Sequence, residues 1–279
     1  MQEYTTKQFW DSYYGKFKPH TVEKVYFADL FEKYLAPDPQ KSVLEIGCAG
    51  GDFLCFLAKK YHYQAYGIDY SDEIETTRAL FAFNNLPEPA LYKEDLFSWN
   101  PKRQFDIVCS FGFVEHFLNL NEVIQKHADL VAPGGTLIMS MPHFAHLQYL
   151  FHWLIDKENL KKHNTKIMNL KRIKNAIRHA ELNEASPANA GTRSKLDIQY
   201  LNYYRTFGFW TERPPRPPSY DKRGGGSYDN QPLPLNWWER AINWKIQTFG
   251  RIINKLIGPN HPNPLFSPHL VLIAQKIPS

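Results

Sequence analysis

The sequence predicts an α/β fold built on a doubly wound parallel sheet, and three observations carry that expectation. Between residues 41 and 142, short apolar runs alternate with amphipathic stretches, the pattern of strands covered by helices on both faces. The first run, Val43-Leu44-Glu45-Ile46, opens into Gly47-Cys48-Ala49-Gly50-Gly51-Asp52 and then a helical pattern. Glycines in such a strand-turn-helix unit let a ligand approach the backbone, and the free N–H groups at the helix start favour electron-rich ligand atoms. A later run, Phe105-Asp106-Ile107-Val108-Cys109-Ser110, is apolar and β-branched enough for a central strand.

Taken in order, residues 4–14 and 21–35 carry apolar residues at helical spacing and predict two leading helices, the second ending at Pro37. Residues 42–46 read as a strand, 52–60 as a helix and 64–68 as a second strand. Ser71 precedes Asp72, Glu73 and Glu75, an N-cap with an acidic first turn for a helix reaching about residue 85. Strands follow at 90–93 and 105–110, then a helix at 120–131, a turn at 133–135 and a fifth strand at 136–141. Beyond it the alternation loosens. Residues 144–160 and 168–182 read as helices, 195–209 as one or two strands and 269–276 as a closing strand. Residues 209–268 hold 10 of the 20 prolines and the Gly224-Gly225-Gly226 run, which predicts a loop or lid. Within that stretch, residues 236–257 form an amphipathic helix. Trp238, Ile242, Ile246, Phe249, Ile253 and Leu256 lie along one side, and Arg240, Lys245, Arg251 and Lys255 outnumber Glu239.

Length and charge bound the function. The 279 residues suffice for a core without disulfide or metal staples. The net charge of +5 hides a division: residues 1–141 hold 13 Lys and Arg against 19 Asp and Glu, or −6, and residues 142–279 hold 20 against 9, or +11. The two halves are expected to meet different ligands. Residues 1–14 carry Glu3, Lys7 and Asp11 without an apolar stretch, so no secretory signal is expected. The long uncharged run 130–155 is broken by Pro133, Gly134, Gly135 and Pro142, so no membrane-spanning helix is expected either. Cys48, Cys55 and Cys109 are odd in number and lack metal-ligand spacing, which fits a cytoplasmic protein.

The glycine turn is not the G-x-G-x-x-G dinucleotide fingerprint, since Glu45 is followed by Gly47, Gly50 and Gly51. Asp69 ends the second strand about 20 residues on, where a carboxylate accepts both ribose hydroxyls. Asp95, in Lys93-Glu94-Asp95-Leu96-Phe97, follows the third strand, placed to accept from an adenine amino group. With Phe105-Asp106-Ile107-Val108-Cys109-Ser110-Phe111-Gly112 and Leu130-Val131-Ala132-Pro133-Gly134-Gly135-Thr136-Leu137 these blocks stand in one order, and the sequence resembles the class I S-adenosylmethionine-dependent methyltransferases over roughly residues 10–142. The resemblance is to the small-molecule, ubiquinone-type O-methyltransferase-like branch.

That resemblance implies a Rossmann-like seven-stranded sheet with an antiparallel last strand, residues 269–276. It implies a helical segment 1–40, a cofactor-binding core 41–142 and a substrate-covering region 143–279 whose final strands complete the same sheet. S-adenosylmethionine is the implied cofactor. Glu45 would orient the turn and the methionine ammonium, Gly47, Cys48, Ala49 and Gly51 would line the methionine portion, and Asp69 would bind the ribose. Tyr70 would flank the adenine, Asp95 and Leu96 would read its edge, and Ser110 and Phe111 would supply backbone contacts.

Phe113-Val114-Glu115-His116-Phe117 directly follows the fourth strand, where the transferred methyl should point. His116 is the first candidate base, Glu115 its orienter and His143 a second candidate, because imidazole titrates near neutral pH. His143, His146 and His152 do not match a zinc spacing, so no metal is expected. After the fourth strand there is no Asp/Asn-Pro-Pro-aromatic block of exocyclic amino methylation, and no Pro-Cys nucleophile of pyrimidine C5 methylation. An oxygen on a small molecule, glycan or lipid-linked intermediate remains as the acceptor. The helix at 236–257 reads either as a lid or as a peripheral membrane contact, since interfacial helices join Trp to Lys and Arg. Two alternatives are an RNA methyltransferase using the basic half and a non-catalytic S-adenosylmethionine-binding protein. Nucleic acid is the less favoured partner, because no RNA-binding module is appended.

Overall fold

Neighbouring strand residues point to opposite faces, and the central strands are apolar on both. A computed structural model describes residues 3–15, 17–183, 195–211 and 235–277. The strands are β1 (Ser42–Ile46), β2 (Gln64–Asp69), β3 (Ala90–Lys93), β4 (Phe105–Phe111), β5 (Val131–Pro142), β6 (Lys195–Tyr204) and β7 (His269–Ile277). They form one sheet in the order β3-β2-β1-β4-β5-β7-β6. β1 to β5 pair in parallel, and β7 runs antiparallel to both β5 and β6. The seven strands and the reversed last strand match the expectation.

The helices are α1 (Lys7–Tyr14), α2 (Ala28–Tyr34), α3 (Asp52–Tyr61), α4 (Glu75–Phe83), α5 (Leu120–Leu130), α6 (His146–Ile155), α7 (Lys157–Lys161), α8 (Leu170–Asn183) and α9 (Trp237–Ile257). Val43, Ile107, Cys109 and Ile138 face α2, α3 and α4, where Phe31, Leu54, Leu57 and Leu80 are buried against them. Leu44, Val108, Leu137 and Met139 face α5 and α8, where Val123, Ile124, Ile173 and Ile177 close the second core. A smaller cluster of Ile155, Phe207, Phe209, Leu235 and Ile246 holds α6 and α9 together.

The departures from the sequence pattern have local causes. Residues 21–27 are not helical: Val22 N donates to Asn84 Oδ1 at 2.9 Å and its carbonyl accepts from Lys59 Nζ at 3.1 Å. Those tertiary bonds hold a stretch containing β-branched Thr21, Val22 and Val25 out of a helix, where helix propensity is weak. The helix expected from Ser71 begins as a 3₁₀ turn, Asp72–Ile74, before α4. The Ser71 side chain makes no cap bond there; Asp11 of α1 supplies one instead, accepting from Asp72 N at 2.7 Å. The helix expected at 144–160 is broken at the buried Asp156, whose carboxylate accepts from Asn159 Nδ2 at 3.3 Å. β6 stops at Tyr204, before Arg205 at φ 65°. The expected 236–257 helix is α9, opened by a capping box between Asn236 and Glu239. Its buried stripe is narrower than the sequence suggests. Ile246 is buried, whereas Trp238 and Leu256 stand 62% and 76% exposed. The Gly224-Gly225-Gly226 run and most of the expected proline-rich loop lie outside the described residues.

Candidate active site

The strand order reverses between β1 and β4, and ligands of doubly wound sheets sit beyond the carboxyl ends of the strands at such a point. β1 delivers the glycine turn there. Gly47 adopts φ 75°, and a Cβ on it would lie 2.6 Å from the Phe113 ring, so only glycine passes beneath that ring unstrained. Glu45 is buried and accepts from Leu54 N at 2.9 Å, which ties β1 to the first turn of α3. Burial pushes its carboxyl up to about 8. Asp69, at the end of β2, accepts from Ala49 N at 3.1 Å and Ser71 N at 2.8 Å. Burial raises the Asp69 carboxyl, and those two donors oppose the rise.

Around this turn lies a cleft of about 660 Å³, a volume that includes space open to solvent. Of the sequence-predicted residues, Gly47, Asp69, Tyr70, Asp95, Leu96, Phe111 and His116 line it. Asp95 accepts from Phe97 N at 2.8 Å, which shapes the loop after β3. Glu45, Cys48, Ala49, Gly51 and Ser110 are not among the lining residues. Cys48 is buried with its carbonyl accepting from Thr77 Oγ1 at 2.6 Å, and the Ser110 hydroxyl meets His127 Nε2 at 3.0 Å. These residues hold the wall from behind.

The chain before β1 roofs the cavity with Glu3, Thr5, Trp10 and Tyr14. Glu3 bridges to Phe117, Tyr4 N donates to His116 O at 2.7 Å, and Tyr70 Oη donates to Glu3 at 3.1 Å. Lys7 pins α1 from outside through ion pairs to Asp11 at 2.9 Å and Asp72 at 2.6 Å. Sequence patterning predicts a leading helix here but not the roof, because the contacts that form it are tertiary.

A 3₁₀ turn, Val114–His116, follows β4 and carries the Glu-His pair. His116 Nδ1 lies 2.9 Å from the Lys162 carbonyl. Since a carbonyl only accepts, Nδ1 carries the proton and the neutral ring keeps its lone pair on Nε2. Nε2 lies 3.9 Å from Glu115 Oε1, and Trp10 packs edge-on against the ring at 4.9 Å between centroids. Burial lowers His116 to about 4, against the opposing carbonyls of Lys162 and Gly112, and burial pushes Glu115 up to about 8. Glu115 Oε2 is buried without a partner. His163 approaches His116 to 4.7 Å between ring centroids, its own Nδ1 held by the Asn159 carbonyl at 2.6 Å.

Glu115, His116 and His163 bring one ligand atom each within 4.8 Å of one another, a geometry that could hold a metal ion. Among the described residues this is the one such group; His143, His146 and His152 do not form one. No spacing signals His163, which lies 47 residues past His116 in the segment after β5. His143 is fully buried with Nδ1 2.9 Å from the Ser267 carbonyl and is not among the cavity-lining residues. The second candidate base thus lies at the carboxyl end of β5 but off the cavity wall.

Five imidazoles make stability pH-dependent. Burial lowers His116, His127, His143 and His269 to about 4 and His163 to about 3, against about 6.5 when unfolded. Between those values the unfolded chain binds more protons, so their contribution is complete above about pH 6.5 and lost as pH falls toward 4. Glu45 and Glu115, raised by burial to about 8, contribute in the opposite sense: their share is present below about 4.3 and lost as pH rises through 8. Five histidines against two glutamates set the net direction. We predict a thermal midpoint roughly 5 °C or more lower at pH 5 than at pH 7 by calorimetry without cofactor. A midpoint that rises on acidification would contradict the neutral burial of these rings.

The methyltransferase domain family matches residues 20–185, more than half of the chain. A probable chloroplastic tocopherol O-methyltransferase of Oryza sativa subsp. japonica is 33% identical over 102 residues, covering 36% of this chain and 28% of that protein. A ubiquinone biosynthesis O-methyltransferase of Neisseria meningitidis serogroup C is 30% identical over 126 residues, covering 44% and 52%. The chain thus spans about half or less of the curated relatives it matches. Among solved structures, a methyltransferase-like protein of Bacillus halodurans C-125 superposes with TM-score 0.55 at 12% identity, covering 91% of this chain and 99% of that one. At that identity the likeness speaks for the fold.

Proposed function

The chain belongs to the methyltransferase domain family, and from that premise we propose that it is an S-adenosylmethionine-dependent enzyme that methylates a hydroxyl of a small molecule, a sugar or a lipid-linked intermediate, without a bound metal. The cofactor supplies an electrophilic methyl on a sulfonium. Asp69 takes the ribose hydroxyls, Tyr70 and Leu96 flank the adenine, Asp95 accepts from its amino edge, and Gly47 and Phe111 adjoin the amino-acid portion. Glu45, Cys48, Ala49, Gly51 and Ser110 act from behind the wall by holding the turn and β4.

One observation supports the acceptor chemistry most: His116, on the cavity wall after β4, has Nδ1 committed to the Lys162 carbonyl and Nε2 left to accept. Once a C–O bond begins to form, the hydroxyl becomes strongly acidic. A neutral imidazole held near 4 by burial is then a sufficient proton acceptor. Glu115, protonated at neutral pH, stands 3.9 Å from Nε2 and packs against the ring without a hydrogen bond to it. His143 takes no catalytic part in this reading. A cavity roofed by Thr5, Trp10 and Tyr14 suits a compact acceptor group better than a polymer. Residues 41–142 form the cofactor core, residues 1–40 its roof and residues 143–279 the acceptor cover, in a cytoplasmic enzyme.

Dialysis against a chelator tests the metal-free mechanism. Turnover is expected to survive it unchanged. Loss of turnover restored by a divalent cation would make Glu115, His116 and His163 ligands, and His116 would no longer serve as the base.

A further inference from the structure

The outer faces of α6 and α9 carry large apolar side chains where a protein surface is ordinarily polar. On α6, Tyr149, Leu150, Trp153 and Leu154 are 40% to 46% exposed, while Gln148, His152 and Ile155 on the opposite side are buried. On α9, Trp237, Trp238 and Trp244 are 61% to 63% exposed and Leu256 is 76% exposed. The two helices meet where Phe151 and Phe249 approach to 6.4 Å between ring centroids. Ile252 and Leu256 follow Phe249 at three- and seven-residue spacing, so they share its side of α9. The exposed apolar residues of the two helices thus continue one surface.

Charge specifies what covers it. α9 carries exposed Arg240, Lys245, Arg251 and Lys255 against a single acid, Glu239, which is spent on the capping box. α6 carries no Asp or Glu, and Lys157 just beyond it sits over the Trp153 ring at 4.3 Å. Tryptophan prefers the boundary between headgroups and hydrocarbon, and interleaved Lys and Arg attract anionic headgroups. No helix among the described residues is long and apolar enough to cross a membrane, so the surface would lie on a bilayer.

We propose that the joined outer face of α6 and α9 docks on an anionic phospholipid bilayer, with Trp153, Trp237, Trp238 and Trp244 at the headgroup boundary. This goes beyond the proposed reaction and holds whatever the acceptor is. The opposite, buried side of α6 leads to the active site. His152 of α6 packs on Phe144 at 4.1 Å, Phe144 on His163 at 4.9 Å and His163 on His116 at 4.7 Å between ring centroids.

The test is flotation of the full-length chain with vesicles of phosphatidylcholine alone or mixed with phosphatidylglycerol. Binding is expected to the mixed vesicles, to weaken with salt, and to fall by about ten-fold or more in Trp237→Ala/Trp238→Ala/Trp244→Ala and in Lys245→Glu/Arg251→Glu/Lys255→Glu. These exposed residues stand outside the cofactor cavity, so both variants should keep the wild-type melting midpoint and cofactor affinity, which separates lost docking from misfolding. Equal binding to pure phosphatidylcholine overturns the anionic specification. No vesicle binding overturns the proposal, as does a self-association in ultracentrifugation that the tryptophan variant abolishes without any vesicle binding, which would make the face an interface between copies.

Discussion

Replacing His116 by Asn is expected to lower the single-turnover rate of methyl transfer by about 10²- to 10⁴-fold, the usual reach of a positioned base, with cofactor affinity nearly unchanged. Its neighbour Glu115 cannot take the acceptor's proton near neutral pH, because burial already keeps its carboxyl protonated. The prediction separates two roles. If Glu115 packs against His116 as a neutral group, Glu115→Gln costs far less than His116→Asn. The pH profile discriminates further. With His116 held near 4, the acidic limb of kcat falls near pH 4, not near the 6.5 of free imidazole. An unaltered single-turnover rate in His116→Asn removes the base from this account.

Asp69→Ala carries the second large effect, on cofactor binding. The carboxylate would accept two ribose hydroxyls, and hydrogen bonds to a charged group are worth about 1.5–3 kcal/mol each. Affinity should therefore fall on the order of 10²-fold or more by calorimetry. The substitution also frees Ala49 N and Ser71 N, loosening the glycine turn and the approach to α4 together. Asp69→Asn, which keeps one acceptor oxygen, is expected to fall between wild type and Asp69→Ala. Unchanged affinity in Asp69→Ala would overturn the placement of the ribose.

The parts of the fold legible in the sequence are those set by neighbours in the chain. β1, β3 and the start of α3 follow from apolar runs and the glycine turn, and α9 follows from its cap and stripe. Residues 21–27 escape such reasoning because Asn84 and Lys59, distant in sequence, decide their conformation. The site divides in the same way. Gly47, Asp69, Asp95 and His116 stand at strand ends, so the order of elements delivers them to one cavity. Glu45 and Ser110 lie within strands, where the pleat turns them behind the wall. Glu3, Thr5 and His163 come from segments whose place depends on tertiary contacts, and no periodicity announces them. His143 differs from these: it stands at the carboxyl end of β5, where its ring packs beside Tyr203 and under the Ser267 carbonyl. The charge division at residue 141 also takes on structure. The basic excess of the second half includes the outer face of α9, remote in sequence from the acidic cofactor residues.

Methyl transfer to oxygen leaves a methoxy carbon that can be followed spectroscopically. Purified protein is incubated with S-adenosylmethionine carrying a ¹³C-labelled methyl and fractionated cell extract, and products are followed by mass spectrometry and carbon NMR. The account predicts a new enzyme-dependent species heavier by one labelled CH₂, with its carbon resonating as a methoxy group. A labelled carbon resonating as N-methyl or C-methyl, or tight cofactor binding with no labelled product in any fraction, would contradict it.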